Sequence, residues 1–125
     1  MKFTYPKNEK LKKRKLIEKL FTQGKSVAKY PLRLVYMEVE NAEEPFQLSV
    51  SVSKKYFKKA VDRNRFKRML RETYRLNQHL LKENVTKSYV FMLLYQSKDV
   101  LSFEEIHQKT IELFEKFKSL QEDSK

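Results

Sequence analysis

Residues 63–75 carry the side chains best suited to binding another molecule, because they place six arginine or lysine residues in thirteen positions. At the α-helical step of about 100° per residue, this part of the chain divides into an apolar face and a cationic face. The apolar face predicts burial, whereas the cationic face must either meet dense negative charge or remain in water. Along the whole predicted helix, the apolar face holds Phe66, Met69, Leu70, Thr73, Asn77, Leu80 and Leu81, and the opposite face holds Asn64, Lys67, Arg68, Arg71 and Arg75.

The cationic face is more one-sided than a solvated helix surface normally is. Surface helices usually mix charge signs, since opposite charges four residues apart attract and like charges repel. Here Arg68 and Glu72 form the one obvious opposite pair. A bound polyanion is therefore the favoured interpretation, with a merely solvated face as the alternative. The guanidinium group of arginine suits phosphate oxygens and base stacking, which favours nucleic acid over an anionic membrane.

Further cations lie outside this segment. Two lysine pairs precede it, and residues 12–15 form another basic cluster; for each of these groups, solubility alone is the alternative explanation. Lys and Arg number 28 against 16 for Asp and Glu, so the net charge is +12, and a small domain this basic is typically bound to a polyanion. The lysines that extend the predicted nucleic-acid surface are Lys54, Lys55, Lys58 and Lys59.

A second candidate surface comes from a strand predicted over residues 46–53, where apolar and small polar residues alternate. Small polar side chains let a nucleic-acid backbone approach, and aromatic side chains stack bases. With Phe21 and Tyr36 expected nearby, Ser49 and Ser51 are candidates for the floor of a groove that holds single-stranded nucleic acid. An ordinary solvent-facing side of the sheet, with Phe21 in the core, explains the same pattern equally well.

Composition excludes several kinds of chemistry. The chain has no cysteine, which excludes disulfides and thiolate metal sites, and its two histidines, His79 and His107, are too few for a histidine-rich metal cluster. A single glycine excludes a glycine-rich phosphate-binding loop. No pattern indicates a nucleophile paired with a base. The longest apolar run, Tyr89–Tyr95, is too short to cross a membrane, and no secretion signal is recognisable.

The elements that must position these side chains follow from periodicity and turn chemistry. A first helix is predicted over residues 11–23, with Gly24 placed to end it. Strands are predicted over residues 32–39 and 46–53. The turn-forming residues 41–45 between these strands favour an antiparallel pair.

The second half of the chain is predicted to be helix, strand and helix. The basic helix begins between residues 58 and 62, with Asp62 as a candidate N-cap, and ends near Leu81. Residues 88–95 are apolar at nearly every position and predict a strand that is buried on both faces. Ser102-Phe-Glu-Glu105 is a capping box that opens the last helix.

The whole chain, residues 1–125, is expected to fold as one α+β domain. Residues 1–10 are predicted to be irregular, and residues 121–125 are predicted to form a flexible polar tail. The order of elements is αβ(β)βαβα, in which one strand is optional.

A long motif at the start of the basic helix resembles the protein subunit of bacterial ribonuclease P. That family carries Ser-Val-Ser-Lys-Lys at the end of a strand, followed by Ala-Val-x-Arg-Asn-Arg-x-Lys-Arg-x-x-Arg-Glu. This chain has Ser51-Val52-Ser53-Lys54-Lys55 and then Ala60-Val61-Asp62-Arg63-Asn64-Arg65-Phe66-Lys67-Arg68-Met69-Leu70-Arg71-Glu72. Looser matches at Leu11-Lys12, Leu20-Phe21 and Gly24, with the final strand and helix, extend the resemblance to nearly the whole chain.

The resemblance implies an α/β sandwich of order αβββαβα, similar to the second domain of ribosomal protein S5. It also implies a mixed sheet with a left-handed βαβ crossover around the basic helix, whereas most such crossovers are right-handed. In the family, the holoenzyme removes the 5′ leader from precursor tRNA, and its RNA subunit with bound Mg²⁺ is the catalyst. The protein binds that RNA and holds the leader in a cleft.

Family roles transfer to matching positions of this sequence. By position, Phe21, Tyr36 and Ser51 are candidates for the leader cleft. The sequence departs from the family pattern at two places. Residues 56–59 lack the glycine that the family has there, so the loop is expected to take another path. Ile17 replaces an aromatic residue of the family, which is expected to weaken contacts with the leader. By motif match, the RNA-contact role falls on Arg63, Asn64, Arg65, Lys67, Arg68 and Arg71.

The expected partners are therefore the ribonuclease P RNA subunit and precursor tRNA, with Mg²⁺ bound mainly by the RNA and no intrinsic cofactor. Neither a membrane nor a small-molecule substrate is expected, and the expected location is the cytoplasm. The alternative is a general or ribosomal RNA-binding protein with no cleavage partner. A free-standing protein nuclease is a third class, which predicts cleavage in the absence of any RNA subunit.

Overall fold

A computed structural model describes residues 14–40, 46–83 and 87–123. The predicted residues 11–13 of the first helix, the irregular residues 1–10 and the turn residues 41–45 lie outside the described residues. Among the helices in these ranges, none is both long enough and apolar enough to cross a membrane. The elements are α1 (Arg14–Gln23), β1 (Lys25–Lys29), β2 (Leu32–Val39), β3 (Phe46–Val52), α2 (Ala60–Lys82), β4 (Ser88–Tyr95) and α3 (Phe103–Asp123).

The four strands form one mixed sheet in the order β1-β2-β4-β3. Strand β2 pairs antiparallel with both β1 and β4, and β3 pairs parallel with β4. The predicted antiparallel pairing of residues 32–39 with 46–53 is therefore wrong, because β4 lies between these two strands. Strand β4 is apolar on both faces. The central position buries both of these faces, because helices cover the sheet on both sides there.

The order αβββαβα is confirmed, and the optional strand is β1, a short edge strand with a lysine at each end. The connection from β3 through α2 to β4 is a parallel βαβ unit. The left-handed sense of this connection stays a prediction. Helix α3 continues to Asp123 and so includes the first three residues of the predicted polar tail, whose flexibility stays a prediction.

Helices cover the two faces of the sheet unequally. Helices α2 and α3 pack on one face and on each other, whereas α1 contacts β2 and β4 on the other face. Alternation along the strands assigns each side chain to one face, so that Phe91 of β4 joins the larger core while Val90 and Met92 pack with Leu20 of α1.

Aromatic side chains dominate the larger core. Tyr36 of β2 meets Phe117 of α3 edge to face, with 4.8 Å between ring centroids, and Tyr89 of β4 joins the same group. Such edge-to-face pairs add to the stabilisation that burial provides. Burial raises the pKa of the Tyr36, Tyr89 and Tyr95 hydroxyls, because a phenolate is poorly solvated there.

The capping predictions have different outcomes at the two long helices. Helix α3 begins with the predicted capping box: the Glu105 amide donates to Ser102 Oγ at 3.2 Å, and the Ser102 amide donates to Glu105 Oε1 at 3.2 Å. The N-cap of α2 is Lys59, not Asp62 as predicted, and it makes no side-chain cap hydrogen bond. Asp62 lies in the first turn instead, where its charge interacts favourably with the helix dipole.

Gly24 ends α1, as predicted, by donating its amide to the Leu20 carbonyl at 2.9 Å. Its role is to permit close approach, because its backbone does not adopt a positive φ. A Cβ at this position would overlap the Leu20 carbonyl oxygen, and it would lie 3.0 Å from the Tyr36 carbonyl and 3.1 Å from a Val35 methyl. The missing side chain therefore lets α1 lie against β2.

The substitution Gly24→Ala is expected to destabilise the protein by about 1–3 kcal/mol, because the methyl group would overlap the Leu20 carbonyl oxygen and crowd β2, so the end of α1 and the backbone beside it must shift. Urea denaturation followed by circular dichroism measures this loss. The neighbouring substitution Gln23→Ala is the matched control, since Gln23 is exposed and its removal should change stability by less than about 0.5 kcal/mol. Equal stability of the two variants would contradict the close-approach explanation.

Candidate nucleic-acid interface

The exposed side of α2 presents the cations that the sequence predicted. Asn64, Arg65, Arg68 and Arg71 are exposed, and Lys67 is half-buried. Within the described part of the chain, no ion pair reaches Arg65, Arg68 or Arg71. Their guanidinium groups are therefore available to phosphate oxygens, which they match in a bidentate geometry.

Packing of the opposite side of α2 fixes the direction in which these cations point. Phe66 and Leu70 are buried, and Met69 packs against the same core. The predicted apolar face is confirmed, and burial extends to Tyr74 and Gln78 because α2 contacts α3 as well as the sheet. Rotation of the helix would expose this whole stripe, so the cationic row is held in place by the core.

The loop between β3 and α2 carries the four predicted lysines Lys54, Lys55, Lys58 and Lys59, and all four are exposed. Its path is set at its start, where Ser53 Oγ accepts a hydrogen bond from the Lys55 amide at 3.0 Å and the Ser53 carbonyl accepts one from the Phe57 amide at 3.1 Å. These bonds form a compact turn without the family glycine. The lysines are thus presented by an ordered backbone.

Phe57 anchors this loop from within, which the sequence reasoning did not anticipate. Its ring stacks on Phe66 with centroids 4.6 Å apart, and Phe66 lies 4.7 Å from Tyr95. The sequence did contain an indication of this anchor. Two aromatic residues, Tyr56 and Phe57, lie between two lysine pairs, and an aromatic side chain in such a polar loop is expected to point inward. The stack ties the lysine loop to the first turns of α2.

Arg63 closes the same loop instead of pointing freely outward. Its Nη1 atom donates to the carbonyl of Phe57 at 2.9 Å and to the carbonyl of Lys58 at 2.8 Å, and its side chain is half-buried. Two of its five donors are therefore used to fix the loop, and the others remain for a phosphate. We infer that Arg63 mainly positions the lysines.

The expected relief of charge on α2 comes from a different pair than predicted. Glu72 accepts hydrogen bonds from Arg75, with 3.0 Å from Arg75 Nε to Glu72 Oε2, and not from Arg68. The guanidinium group of Arg75 contacts both carboxylate oxygens of Glu72. Arg68, which lies one turn earlier in the helix, does not contact them. The hydrogen bond from Arg75 lowers the pKa of Glu72. Arg75 is therefore partly neutralised, whereas Arg68 is left for a partner.

The candidate groove lies on the face of the sheet that α1 partly covers. Ser49 and Ser51 of β3 are half-buried, and they pair in register with Met92 and Leu94 of β4 on that same face. Helix α1 contacts β2 and β4, so the β3 side of this face is its margin. Phe21 of α1 stands on this side of the sheet with 53% of its surface exposed, and it is not in the core.

Tyr36 does not join these residues, and its predicted place beside Ser49 and Ser51 is wrong. It faces α3 on the opposite side of the sheet and is 8% exposed. Neighbouring residues of a strand point to opposite faces, so an error of one position moves a side chain through the sheet. Val35, the preceding residue, occupies the α1 side instead.

The two histidines of the chain lie on different helices. His79 lies on α2 and His107 on α3. In residues 14–40, 46–83 and 87–123, no three or more His, Asp or Glu side chains group together as candidate ligands of a metal ion. The arrangement is suited to binding polyanions through charge and shape.

Comparison with known proteins gives consistent matches. A family model described as Ribonuclease P matches residues 5–118. A protein named ribonuclease P protein component from Porphyromonas gingivalis is 42% identical over 90 residues, covering 71% of this chain and 66% of its own length. This chain thus spans just under two thirds of that relative. The protein of the same name from Dictyoglomus thermophilum is 32% identical over 120 residues, covering 96% of this chain and 97% of that protein.

Solved structures show the same fold. The RNase P protein of Staphylococcus aureus matches with a TM-score of 0.72 at 22% identity, covering 87% of this chain and 94% of that chain. The RNase P protein from Thermotoga maritima matches with a TM-score of 0.69 at 22% identity, covering 86% and 96%. At this level of identity, the likeness supports the arrangement of strands and helices only.

Replacing both Arg65 and Arg68 with Ala is expected to weaken binding to a structured RNA by roughly tenfold per residue and to flatten its salt dependence by about one unit of slope per residue. Both effects follow from lost phosphate contacts on the exposed side of α2. Fluorescence anisotropy at several salt concentrations measures affinity and slope together.

The matched control for this experiment is the double variant Lys87→Ala and Lys118→Ala, which removes the same charge. Both lysines already pair with carboxylates, at 3.6 Å to Glu38 and 3.8 Å to Glu83. Surface pairs of this kind contribute little to stability. If the control loses as much affinity and slope as the arginine variant, general charge and not the α2 row accounts for binding.

Proposed function

The chain belongs to the ribonuclease P protein family, and from that membership we propose that it is the protein component of a ribonucleoprotein that removes the 5′ leader of precursor tRNA. In this proposal the protein binds the RNA subunit and the leader, and the catalytic centre lies in the RNA. The observation that carries it is the row of Arg65, Arg68 and Arg71 on α2, which make no ion pair within the described residues and are held outward by the buried side of the same helix.

The contribution of the protein is electrostatic and positional. Each arginine or lysine that meets a phosphate releases condensed counterions, so binding gains free energy that falls with added salt. The α2 row and the lysine loop are joined by Arg63 and by the Phe57–Phe66 stack, so both contact the RNA as one rigid surface. A rigid surface loses little conformational freedom when it binds.

The groove on the α1 side is proposed to hold the leader. A single strand is bound by stacking of its bases on aromatic rings and by close approach of its backbone to small side chains. Phe21 offers an exposed ring on this face, and Ser49 and Ser51 offer small hydroxyl-bearing side chains on β3. Fixing the leader also orients the cleavage site, which lowers the entropic part of the barrier.

Mg²⁺ belongs to the RNA partner in this proposal, where it supplies the charge that activates water and stabilises the leaving oxygen. The protein neutralises neighbouring phosphates, so the assembled particle should need less Mg²⁺ than the RNA by itself. The proposed cleavage reaction uses no metal ion bound by residues of this chain. A cytoplasmic location stays a prediction.

Cleavage of precursor tRNA in low Mg²⁺ tests this function. The reaction is run with a bacterial ribonuclease P RNA, with this protein, and with both together. Cleavage at the mature 5′ end is expected in the mixture only, because the RNA supplies the chemistry and the protein supplies charge and position. No gain in the mixture, with tight RNA binding retained, would contradict the proposal and favour a general RNA-binding protein. Cleavage by the protein without RNA would indicate a protein nuclease.

The substitution Phe21→Ala is expected to weaken binding of precursor tRNA to the assembled particle by at least about fivefold, because one stacked base loses its platform. Affinity for mature tRNA, which lacks the leader, should not change. Competition binding with the two RNAs measures both values, and Phe21→Tyr is the control that keeps a ring. Equal losses for precursor and mature tRNA would show that Phe21 does not contact the leader.

A further inference from the structure

A separate cavity lies where the turn between β1 and β2 meets the start of α3. Its volume is about 670 Å³, which falls in the range of sites that hold a small organic group. Tyr30 and Pro31 of the turn and Leu101 before α3 give it apolar walls, and Glu104 and Gln108 on the first turns of α3 give it polar groups.

This cavity is distinct from the proposed leader groove. Lys29, which lines it, lies two residues from Val27 on β1 and therefore shares the face that packs against α3. Helix α3 contacts β1 and β2 on that face, whereas Ser49 and Ser51 lie on the α1 side. A ligand in this cavity and a strand in the groove are thus separated by the sheet.

The ring of Tyr30 is exposed and yet held in one orientation. Its exposed fraction is 64%, but its hydroxyl bonds to Ser97 Oγ at 2.7 Å and donates to Asp99 Oδ2 at 2.8 Å. The loop that supplies these partners is itself fixed, because the Gln96 amide donates to the Pro31 carbonyl at 2.8 Å. A fixed, exposed aromatic face is a preorganised stacking surface, since little freedom is lost when a planar group binds.

The charges around the cavity decide which end of a nucleotide fits inside. Glu104 is exposed at its wall, and a carboxylate repels phosphate but accepts hydrogen bonds from N–H groups. Glu105 Oε1 accepts the capping bonds from Ser102, so Glu104 is the carboxylate at the cavity that the capping box does not use. Lys29 lies at the same cavity and can meet a phosphate outside it, whereas Lys109 already pairs with Glu112 at 3.6 Å.

Among the nucleobases, guanine matches this arrangement best. Its N1–H and N2–H₂ groups are adjacent donors, and a carboxylate accepts both in a bidentate geometry similar to that of an arginine pair. Uracil offers one donor on that edge, and adenine and cytosine offer one amino group each. A carboxylate therefore favours guanine, while the tyrosine ring stacks any base.

We propose that this cavity binds an unpaired guanine base, stacked on Tyr30 and hydrogen-bonded by Glu104, with a flanking phosphate near Lys29. An RNA strand is the source of the base, and only this part of the proposal rests on the proposed function. Tyr95 of β4 pairs with Leu32 on one side and with Val52 on the other, so the turn that carries Tyr30 and the start of the lysine loop lie at the same end of the sheet.

NMR titration of the ¹⁵N-labelled full chain with GMP, AMP, CMP, UMP and inorganic phosphate tests the site. GMP is expected to shift the amides of Tyr30, Leu101 and Glu104 and to bind at least about fivefold more tightly than UMP. The oligonucleotide UUGUU should bind more tightly than GMP if an RNA strand is the source, and equal affinity of the two would assign the site to a free nucleotide, overturning that source.

Two variants separate stacking from base recognition. Tyr30→Ala should weaken GMP binding at least about fivefold, and Glu104→Gln should reduce the ratio of GMP to AMP affinity while binding persists. Both residues are exposed, and circular dichroism confirms that the fold is retained. Equal shifts with all four nucleotides and phosphate, no shift at these amides, or unchanged binding by Tyr30→Ala would each overturn the proposal. None of these results depends on leader cleavage, so the proposed function stands or fails separately.

Discussion

Helix α2 packs against the sheet and against α3 at the same time, and this double contact determines where its charges lie. Phe66 and Leu70 are fully buried, and Tyr74 and Leu81 continue the same stripe towards the end of the helix. Polar side chains on the buried side form hydrogen bonds within the helix, as Asn77 Nδ2 does by donating to the Thr73 carbonyl at 2.8 Å. With this side committed to the core, Arg65, Arg68 and Arg71 have no direction available except outward.

The alternation of side chains across the sheet gives the protein two further surfaces. Side chains of one parity build the aromatic core under α2 and α3, and side chains of the other parity meet α1. Because the contacts of α1 fall on β2 and β4, the hydroxyl-bearing residues of β3 lie at the edge of its cover. The end of the sheet where β3 and β4 finish holds both the lysine loop and the cavity beside Tyr30, so two of the proposed nucleic-acid contacts lie at the same end of the sheet.

The sequence predicted the features that depend on local periodicity. Helix α2, its buried stripe and the capping box at Ser102 are set by residues three or four apart, and the structure confirms them. Strand order depends on long-range competition for the central position of the sheet, and the apolar pattern of β4 predicts its burial but not which strands it pairs with. The predicted position of Tyr36 was wrong because neighbouring residues of β2 point to opposite faces of the sheet, and Val35, one residue earlier, occupies the predicted face. The Tyr30 site joins residues about 70 positions apart, which no local pattern reveals.

Site-directed cross-linking tests most directly the claim that α2 and the groove contact different RNAs. The chain has no cysteine, so a photoactivatable group can be attached at one introduced thiol. In the assembled particle, Asn64→Cys on α2 should cross-link to the RNA subunit and Ser49→Cys on β3 to the leader. Glu115→Cys, exposed on α3, should cross-link to neither. Cross-links from position 64 to the leader alone, or from position 115 as strong as those from position 64, would contradict the account.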